Sequence, residues 1–254
     1  MTDEININVK QRILFFIKDN NYKSAEQLIK KALKKYSNSP YLLELLALCQ
    51  YKNGEYEDAI RSYNTILKSN SNISSEILFM LGNSLSNLGH SREAIDYFKK
   101  SLLKNPNQYL VLNNLGFEYE LLKDFKKATD YYTQSTELNK DFELGYTNLA
   151  NINEGMGNIE ESTIIYEKCL KINNTNEVAI LGLANINLLK KSYNVAYNLF
   201  SQAIELNSSL KDAYTGLGKV LLAKGDHLEG LKMLQKGVGV IRFTKGNDLE
   251  IINN

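Results

Sequence analysis

Large apolar residues recur along this chain at spacings of three, four and seven, as in Leu78, Leu81 and Leu85 or Leu112, Leu115 and Tyr119. Side chains so spaced share one face of a helix, so each stripe predicts a helix that must bury that face. A second helical pattern follows each stripe. It is centred on a small residue in an apolar frame: Ala25, Ala59, Ala94, Ala128, Ser162, Ala196 and Gly230, separated by 34, 35, 34, 34, 34 and 34 residues. A fixed period of this length makes each unit one supersecondary element, here a helix hairpin stacked on its neighbours. Turn signals fall where a hairpin needs them, at Asn53-Gly54, Leu88-Gly89, Met156-Gly157 and Lys224-Gly225 within units and at Asn105-Pro106 between units.

Taking the small residue as repeat position 20 puts Leu46-Ala47, Leu81-Gly82, Leu115-Gly116, Leu149-Ala150, Leu183-Ala184 and Leu217-Gly218 at positions 7 and 8. Position 24 then collects Tyr63, Phe98, Tyr132, Tyr166, Phe200 and Leu234, and position 27 collects Ala32, Ile66, Ser101, Ser135, Cys169, Ala203 and Gly237. Small residues at 8 and 20 let two helix backbones approach, and the bulky residue at 24 fills the space between them. A large residue in place of Gly82 or Gly116 is expected to force the helices apart.

The Leu-Gly at 7 and 8, Gly near 15, Ala at 20, aromatic at 24 and small residue at 27 resemble the tetratricopeptide-repeat family closely. The stretch EILFMLGNSLSNLGHSREAIDYFKKSLLKNPN carries nearly the whole family pattern. The resemblance implies an all-α fold, a right-handed α-solenoid of antiparallel helix pairs. It covers residues 6–244 as repeats 6–39, 40–74, 75–108, 109–142, 143–176, 177–210 and 211–244, with a non-repeat tail over 237–254. Departures lie at the ends, where terminal repeats have a single neighbour. Repeat 1 has Arg12-Ile13 in place of Leu-Gly, and repeat 7 has Gly230 and Gly237 in place of Ala.

Composition supports the reading and removes competitors. Two Pro and no Trp in 254 residues suit uninterrupted helices. A formal charge of +1 gives no electrostatic footprint for nucleic acid or anionic lipid. Acids follow Met1 where a secretory signal carries positive charge, and no apolar run approaches the roughly 20 residues that span a bilayer. The expected location is the cytoplasm. The 31 Asn read as codon bias rather than adaptation.

No catalytic constellation is expected, nor any cofactor or metal. His90 and His227 fall in helix turns four repeats apart, and units of a solenoid touch only their neighbours. Cys49 and Cys169 are three repeats apart, too far for a disulfide, and read as buried thiols. The TGLGKV at 215–220 lacks the first Gly and the Ser/Thr of a phosphate loop, and the GVGV at 237–240 lacks a third Gly.

Members of the family line a concave groove with their first helices, and the resemblance places positions 2, 5, 9 and 12 on it. The residues expected to contact a ligand there are Phe79, Asn83, Asn113, Phe117, Asn148, Asn151, Asn185 and Lys219. Asn supplies a donor and an acceptor to an extended backbone, and Asn83, Asn151 and Asn185 share position 9. Asn in this column can equally serve helix packing. Asn114 and Asn148, at position 6, resemble part of the Asn ladder in the repeats of O-GlcNAc transferase. The basic clamp of chaperone-tail-binding relatives is missing, since Glu44, Glu76, Glu120, Glu154 and Asp212 face Lys219 alone. Phe79, Phe117 and Asn151 are expected to lie outside the packing set.

These readings predict a non-enzymatic scaffold that binds a neutral-to-basic, partly apolar protein or peptide segment. Two alternatives stay open: a self-assembling structural protein that forms a homo-oligomer, and a substrate-recognition arm acting in trans with a separate enzyme. The tail has two readings as well. Gly237 and Gly239 break helix, while Val240, Ile241 and Phe243 favour extended structure ahead of a Lys-Gly-Asn-Asp turn signal and the run Leu249, Ile251, Ile252. It is either disordered or a short β-hairpin packed on repeat 7 or on a second molecule.

Overall fold

The computed structural model describes residues 5–37, 39–69, 73–243 and 249–252. Its contacts divide the chain into two compact units, Met1–Leu138 and Asn139–Asn254.

Among the described residues the first unit contains four hairpins: α1 (Ile7–Lys18) with α2 (Tyr22–Leu33), α3 (Pro40–Lys52) with α4 (Tyr56–Ser69), α5 (Ser75–Asn87) with α6 (Ser91–Lys104), and α7 (Tyr109–Leu121) with α8 (Phe125–Leu138). The second contains three: α9 (Glu143–Gly155) with α10 (Ile159–Ile172), α11 (Glu177–Leu189) with α12 (Tyr193–Leu206), and α13 (Lys211–Ala223) with α14 (His227–Val238). Within each unit the second helix of one hairpin packs on the first helix of the next, α2 on α3 and α12 on α13 for example. The fold is all-α, and it follows the 34-residue register read from the sequence.

Local signals start and stop these helices. Ser39, Ser74 and Asn176 cap α3, α5 and α11 by accepting the backbone N–H of Leu42, Ile77 and Ala179. Pro40 takes the first turn of α3, where its missing N–H costs nothing. The hairpin turn uses one geometry throughout. Position 15 is left-handed at Asn20, Gly54, Gly89, Lys123, Gly157, Lys191 and Gly225. That conformation closes the helix by returning the next two N–H groups to its last turn, as Lys123 does to Glu120 and Asp124 to Tyr119, both at 2.9 Å.

The small-residue columns have direct physical causes. A Cβ on Gly82 would stand 2.6 Å from the Phe98 ring, and one on Gly116 would stand 2.6 Å from the Tyr132 ring, so position 8 is the seat of the position-24 aromatic in the same repeat. At position 27 the side chain meets the carbonyl of position 1. Ser101 Oγ donates to Ser75 O at 2.8 Å, and Ser135 Oγ donates to Tyr109 O at 2.7 Å. Repeat 7 is tighter still: a Cβ on Gly237 would fall 2.7 Å from Lys211 O, which accounts for glycine in place of alanine there.

After Gly239 the backbone forms two short strands, β1 (Val240–Phe243) and β2 (Leu249–Ile252), paired antiparallel with Val240 opposite Ile252. The Lys-Gly-Asn-Asp turn expected between them lies outside the described residues. Among the described residues no helix is long and apolar enough to cross a membrane.

Candidate protein-binding groove

In the second unit, first-helix positions 2, 5, 9 and 12 come together. One cleft of about 380 Å³ is lined by Asn151 and Glu154 of α9, by Val178, Leu181, Asn185 and Leu188 of α11, and by Asp212, Thr215 and Lys219 of α13. Three of the expected contact residues, Asn151, Asn185 and Lys219, are therefore neighbours in one depression, and all three are exposed. Asn148, on the same helix as Asn151, is half-buried beside position 7.

The floor of this cleft contains residues that the sequence reading did not place among the contact residues. Tyr166, Gly182 and Gly216 complete the lining. Gly182 and Gly216 occupy position 6, and added Cβ atoms would come within 2.3 Å of Tyr166 Cζ and 2.2 Å of the Phe200 ring. A position-24 ring is thus covered by the glycine of the following repeat. The signal was present in the sequence, since glycine inside a helix costs about 1 kcal/mol relative to alanine and needs a packing reason.

Tyr166 also reaches the rim. Its hydroxyl lies 2.9 Å from Glu154 Oε2 and contacts Asn151 Oδ1. Burial first, and the Glu154 carboxylate second, hold the Tyr166 hydroxyl protonated far above the usual tyrosine range. Asn151 is therefore tied to the core through Oδ1, with its amide N–H groups left over. The expectation that it stands outside the packing set is corrected by this bond.

The first unit arranges its candidates differently. Phe117 is exposed, but Phe79 is half-buried with its ring centroid 5.9 Å from that of Phe98, so it belongs partly to the core. Asn83 and Asn113 are buried. Asn83 Oδ1 accepts from Asn114 Nδ2 at 2.7 Å, joining α5 to α7, while Asn113 Nδ2 lies 3.5 Å from Asn114 Oδ1. Helix packing is the use that the Asn83 amide has in the structure. Glu118, fully buried on α7, takes a hydrogen bond from Ser86 of α5 through Oε1. No sequence pattern singled it out.

Charge on the first-unit surface is crowded. Burial, and then the neighbouring Glu76 carboxylate, raise the Glu44 carboxyl above the usual range. Hydrogen bonds from its own backbone N–H and from Ser75 hold Glu76 below that range. Two acids that repel one another on one surface are relieved by an arriving cation.

Cys49 and Cys169 are free thiols and both are buried. His90 and His227 stand at the starts of α6 and α14, one in each unit, and both are exposed. Among the described residues no cluster of His, Cys, Asp and Glu has the arrangement to hold a metal ion.

Helix hairpins in one constant register define a helical repeat protein, and comparison with known proteins gives the family. Residues 109–142 and 145–176 match the tetratricopeptide repeat model, and residues 18–101 match the model for anaphase-promoting complex, cyclosome, subunit 3. A tetratricopeptide-repeat protein from Cytophaga hutchinsonii superposes with a TM-score of 0.75 at 16% identity, over 93% of this chain and 97% of that one. One from Parabacteroides merdae superposes with a TM-score of 0.70 at 20% identity, over 91% of each chain. YrrB, described as having an unusual peptide-binding site, gives a TM-score of 0.59 at 19% identity over 78% of this chain and 97% of its own. No curated protein matches the sequence. The matched repeats and the fold fit a tetratricopeptide-repeat protein.

Proposed function

We propose that the chain is a non-catalytic scaffold that grips an extended segment of another protein, and that the cleft formed by α9, α11 and α13 is a principal grip. The observation that carries this reading is the placement of Asn151 and Asn185 one repeat apart in a single cleft. Packed helices repeat at about 10 Å, which is the reach of roughly three residues of extended chain. Two exposed amides at that separation suit the carbonyls and N–H groups of one backbone.

The side-chain preference follows from the rest of the lining. Val178, Leu181 and Leu188 offer apolar contact, and Glu154 with Asp212 outnumber Lys219. A neutral-to-basic, partly apolar segment suits that surface, with electrostatics setting specificity and on-rate more than total affinity. The structural neighbour with a peptide-binding site has the same fold and is consistent with this use.

The test is a peptide titration by fluorescence anisotropy with two labelled peptides of equal apolar content, one Lys-rich and one Glu-rich. The Lys-rich peptide should bind more tightly, and its affinity should fall as salt rises. Asp212→Lys should erase the preference, and Asn185→Ala should weaken both peptides with little loss of stability, because Asn185 is exposed. Tighter binding of the Glu-rich peptide by the unmodified chain would overturn the charge reading.

A further inference from the structure

Positions 3, 7 and 10 of a repeat pack on the second helix of the repeat before it. Leu42, Leu46 and Cys49 share one buried cluster with Ala25, Ile29 and Ala32 of the preceding hairpin. Ala213, Leu217 and Val220 do the same with Ala196, Phe200 and Ala203. In repeat 1 the corresponding residues are Asn8, Arg12 and Phe15. All three are exposed, Phe15 by 66% where Cys49 and Val220 are at 0%. The outer face of α1 is thus half of the interface used within both units, with its central leucine replaced by arginine.

The charge of the face narrows what completes it. The charge on this face is Arg12, and the α1 sequence INVKQRILFFIK contains no acid to offset it. No ion pair among the described residues involves Arg12 or Lys18. The helix of a second copy that stands in the matching place is α14, and its acid, Glu229, is already paired with Lys232 at 3.0 Å. The face that α14 would present to a following repeat, at positions 20, 24 and 27, is Gly230, Leu234 and Gly237, which offers Arg12 no carboxylate. Covering a guanidinium without a partner disfavours that contact.

We propose that the outer face of α1 docks an amphipathic helix of another protein, which supplies a carboxylate to Arg12 and an apolar surface to Phe15. Such a helix completes the face in the way a second helix completes the junctions within each unit. Arg and aromatic side chains are the residue types that carry most binding energy at such contacts. This surface is separate from the groove, so the two readings fail independently.

The intact chain is titrated by fluorescence anisotropy with two labelled, lactam-stapled helical peptides of about four turns. They share one leucine face and differ only in carrying Glu or Lys beside it. The Glu peptide should bind at least about tenfold more tightly. Arg12→Glu should invert the preference, Phe15→Ala should weaken the Glu peptide about tenfold, and circular dichroism should show both variants as helical as the parent. Asp212→Lys should leave the preference unchanged. The proposal is overturned by equal binding of the two peptides, by a preference that survives Arg12→Glu, or by one that moves with Asp212→Lys. A sedimentation mass that rises with concentration and falls back in Phe15→Ala would assign the face to a second copy. Capture on phosphatidylserine-containing vesicles, lost in Arg12→Glu while both peptides are ignored, would assign it to lipid. Either result also overturns the proposal.

Discussion

Replacing Gly216 by alanine isolates the packing argument on which both fold and groove rest. The added Cβ would stand 2.2 Å from Phe200 Cε1 and Cζ, roughly 1.3 Å inside the carbon–carbon contact distance of about 3.5 Å. Phe200 cannot swing away, because its ring is fully buried among Ala184, Ala196, Leu217 and Val220. Overpacking of this kind costs about 1–3 kcal/mol. Alanine recovers about 0.5–1 kcal/mol of helix propensity at the same position, so the net loss should fall within about 0–2.5 kcal/mol, with a mid-range value of about 1 kcal/mol. Gly155→Ala is the matched control. Gly155 ends α9 in the same compact unit, and no atom lies within 4 Å of its added Cβ. That variant should gain up to about 0.5 kcal/mol, from propensity and from a less flexible unfolded chain. Urea unfolding followed by circular dichroism reads both, with the midpoint moving in opposite directions. If Gly216→Ala unfolds at the same urea concentration as Gly155→Ala, the ring does not need the glycine and the position-6 argument is wrong.

The turn geometry makes a second prediction, since Lys123 and Lys191 hold φ of 61° and 58°. A left-handed non-glycine residue costs about 1–2 kcal/mol, so Lys123→Gly and Lys191→Gly should each raise stability by about 0.5–1 kcal/mol in urea melts after the entropy of glycine is subtracted. A loss in both would refute the turn assignment. The two thiols make a third: burial, and then Glu26 for Cys49 and Glu143 for Cys169, push both up to about 11. A raised thiol contributes stability that is complete below its unfolded value and is lost as pH rises through about 11, so stability should be flat near neutrality and fall on the alkaline side. Ellman's reagent at about pH 8 should find both thiols unreactive until urea exposes them; prompt reaction in the folded chain would contradict their burial.

Much of the fold was legible because its constraints repeat. A column containing only Ala, Ser and Gly at position 20 has no simpler cause than close helix approach, and one sequence supplies seven examples of it. The turn geometry was legible only in part. Gly54, Gly89, Gly157 and Gly225 mark the left-handed residue, while Asn20, Lys123 and Lys191 adopt the same conformation without glycine. The candidate groove was harder, because groove positions are defined by what they do not pack against. Asn83 and Asn151 occupy the same register position, yet Asn83 is buried against Asn114 and Asn151 is exposed. What separates them is the residue at position 6 of the following repeat, an Asn that reaches Asn83 in one case and Gly182 in the other. A single-position reading does not carry that difference. Arg12 was visible as a departure from the pattern, but its meaning required knowing that position 7 is an inter-repeat contact.

The same pairing logic links core to surface at positions 24 and 12. Tyr132 Oη donates to Glu120 at 2.8 Å, and the Tyr166 hydroxyl lies 2.9 Å from Glu154. In both repeats a fully buried ring ends in a hydroxyl at the groove rim, where it meets a carboxylate. Repeats 3 and 6 carry Phe98 and Phe200 instead, and their position-12 residues are Ser86 and Leu188. Without a hydroxyl below, nothing in the core would receive an acid there. Both acids at position 12, Glu120 and Glu154, thus coincide with tyrosine at position 24, and phenylalanine coincides with a neutral residue, while repeat 2 pairs Tyr63 with the neutral Tyr51. In repeats 4 and 5 the ring that closes the hairpin gives the position-12 carboxylate a buried hydroxyl as partner. Glu44, Glu76 and Asp212 stand at positions 5, 2 and 2, away from that hydroxyl's place in the repeat, so a change from tyrosine to phenylalanine at position 24 acts on Glu120 and Glu154 and leaves the other three acids as they are.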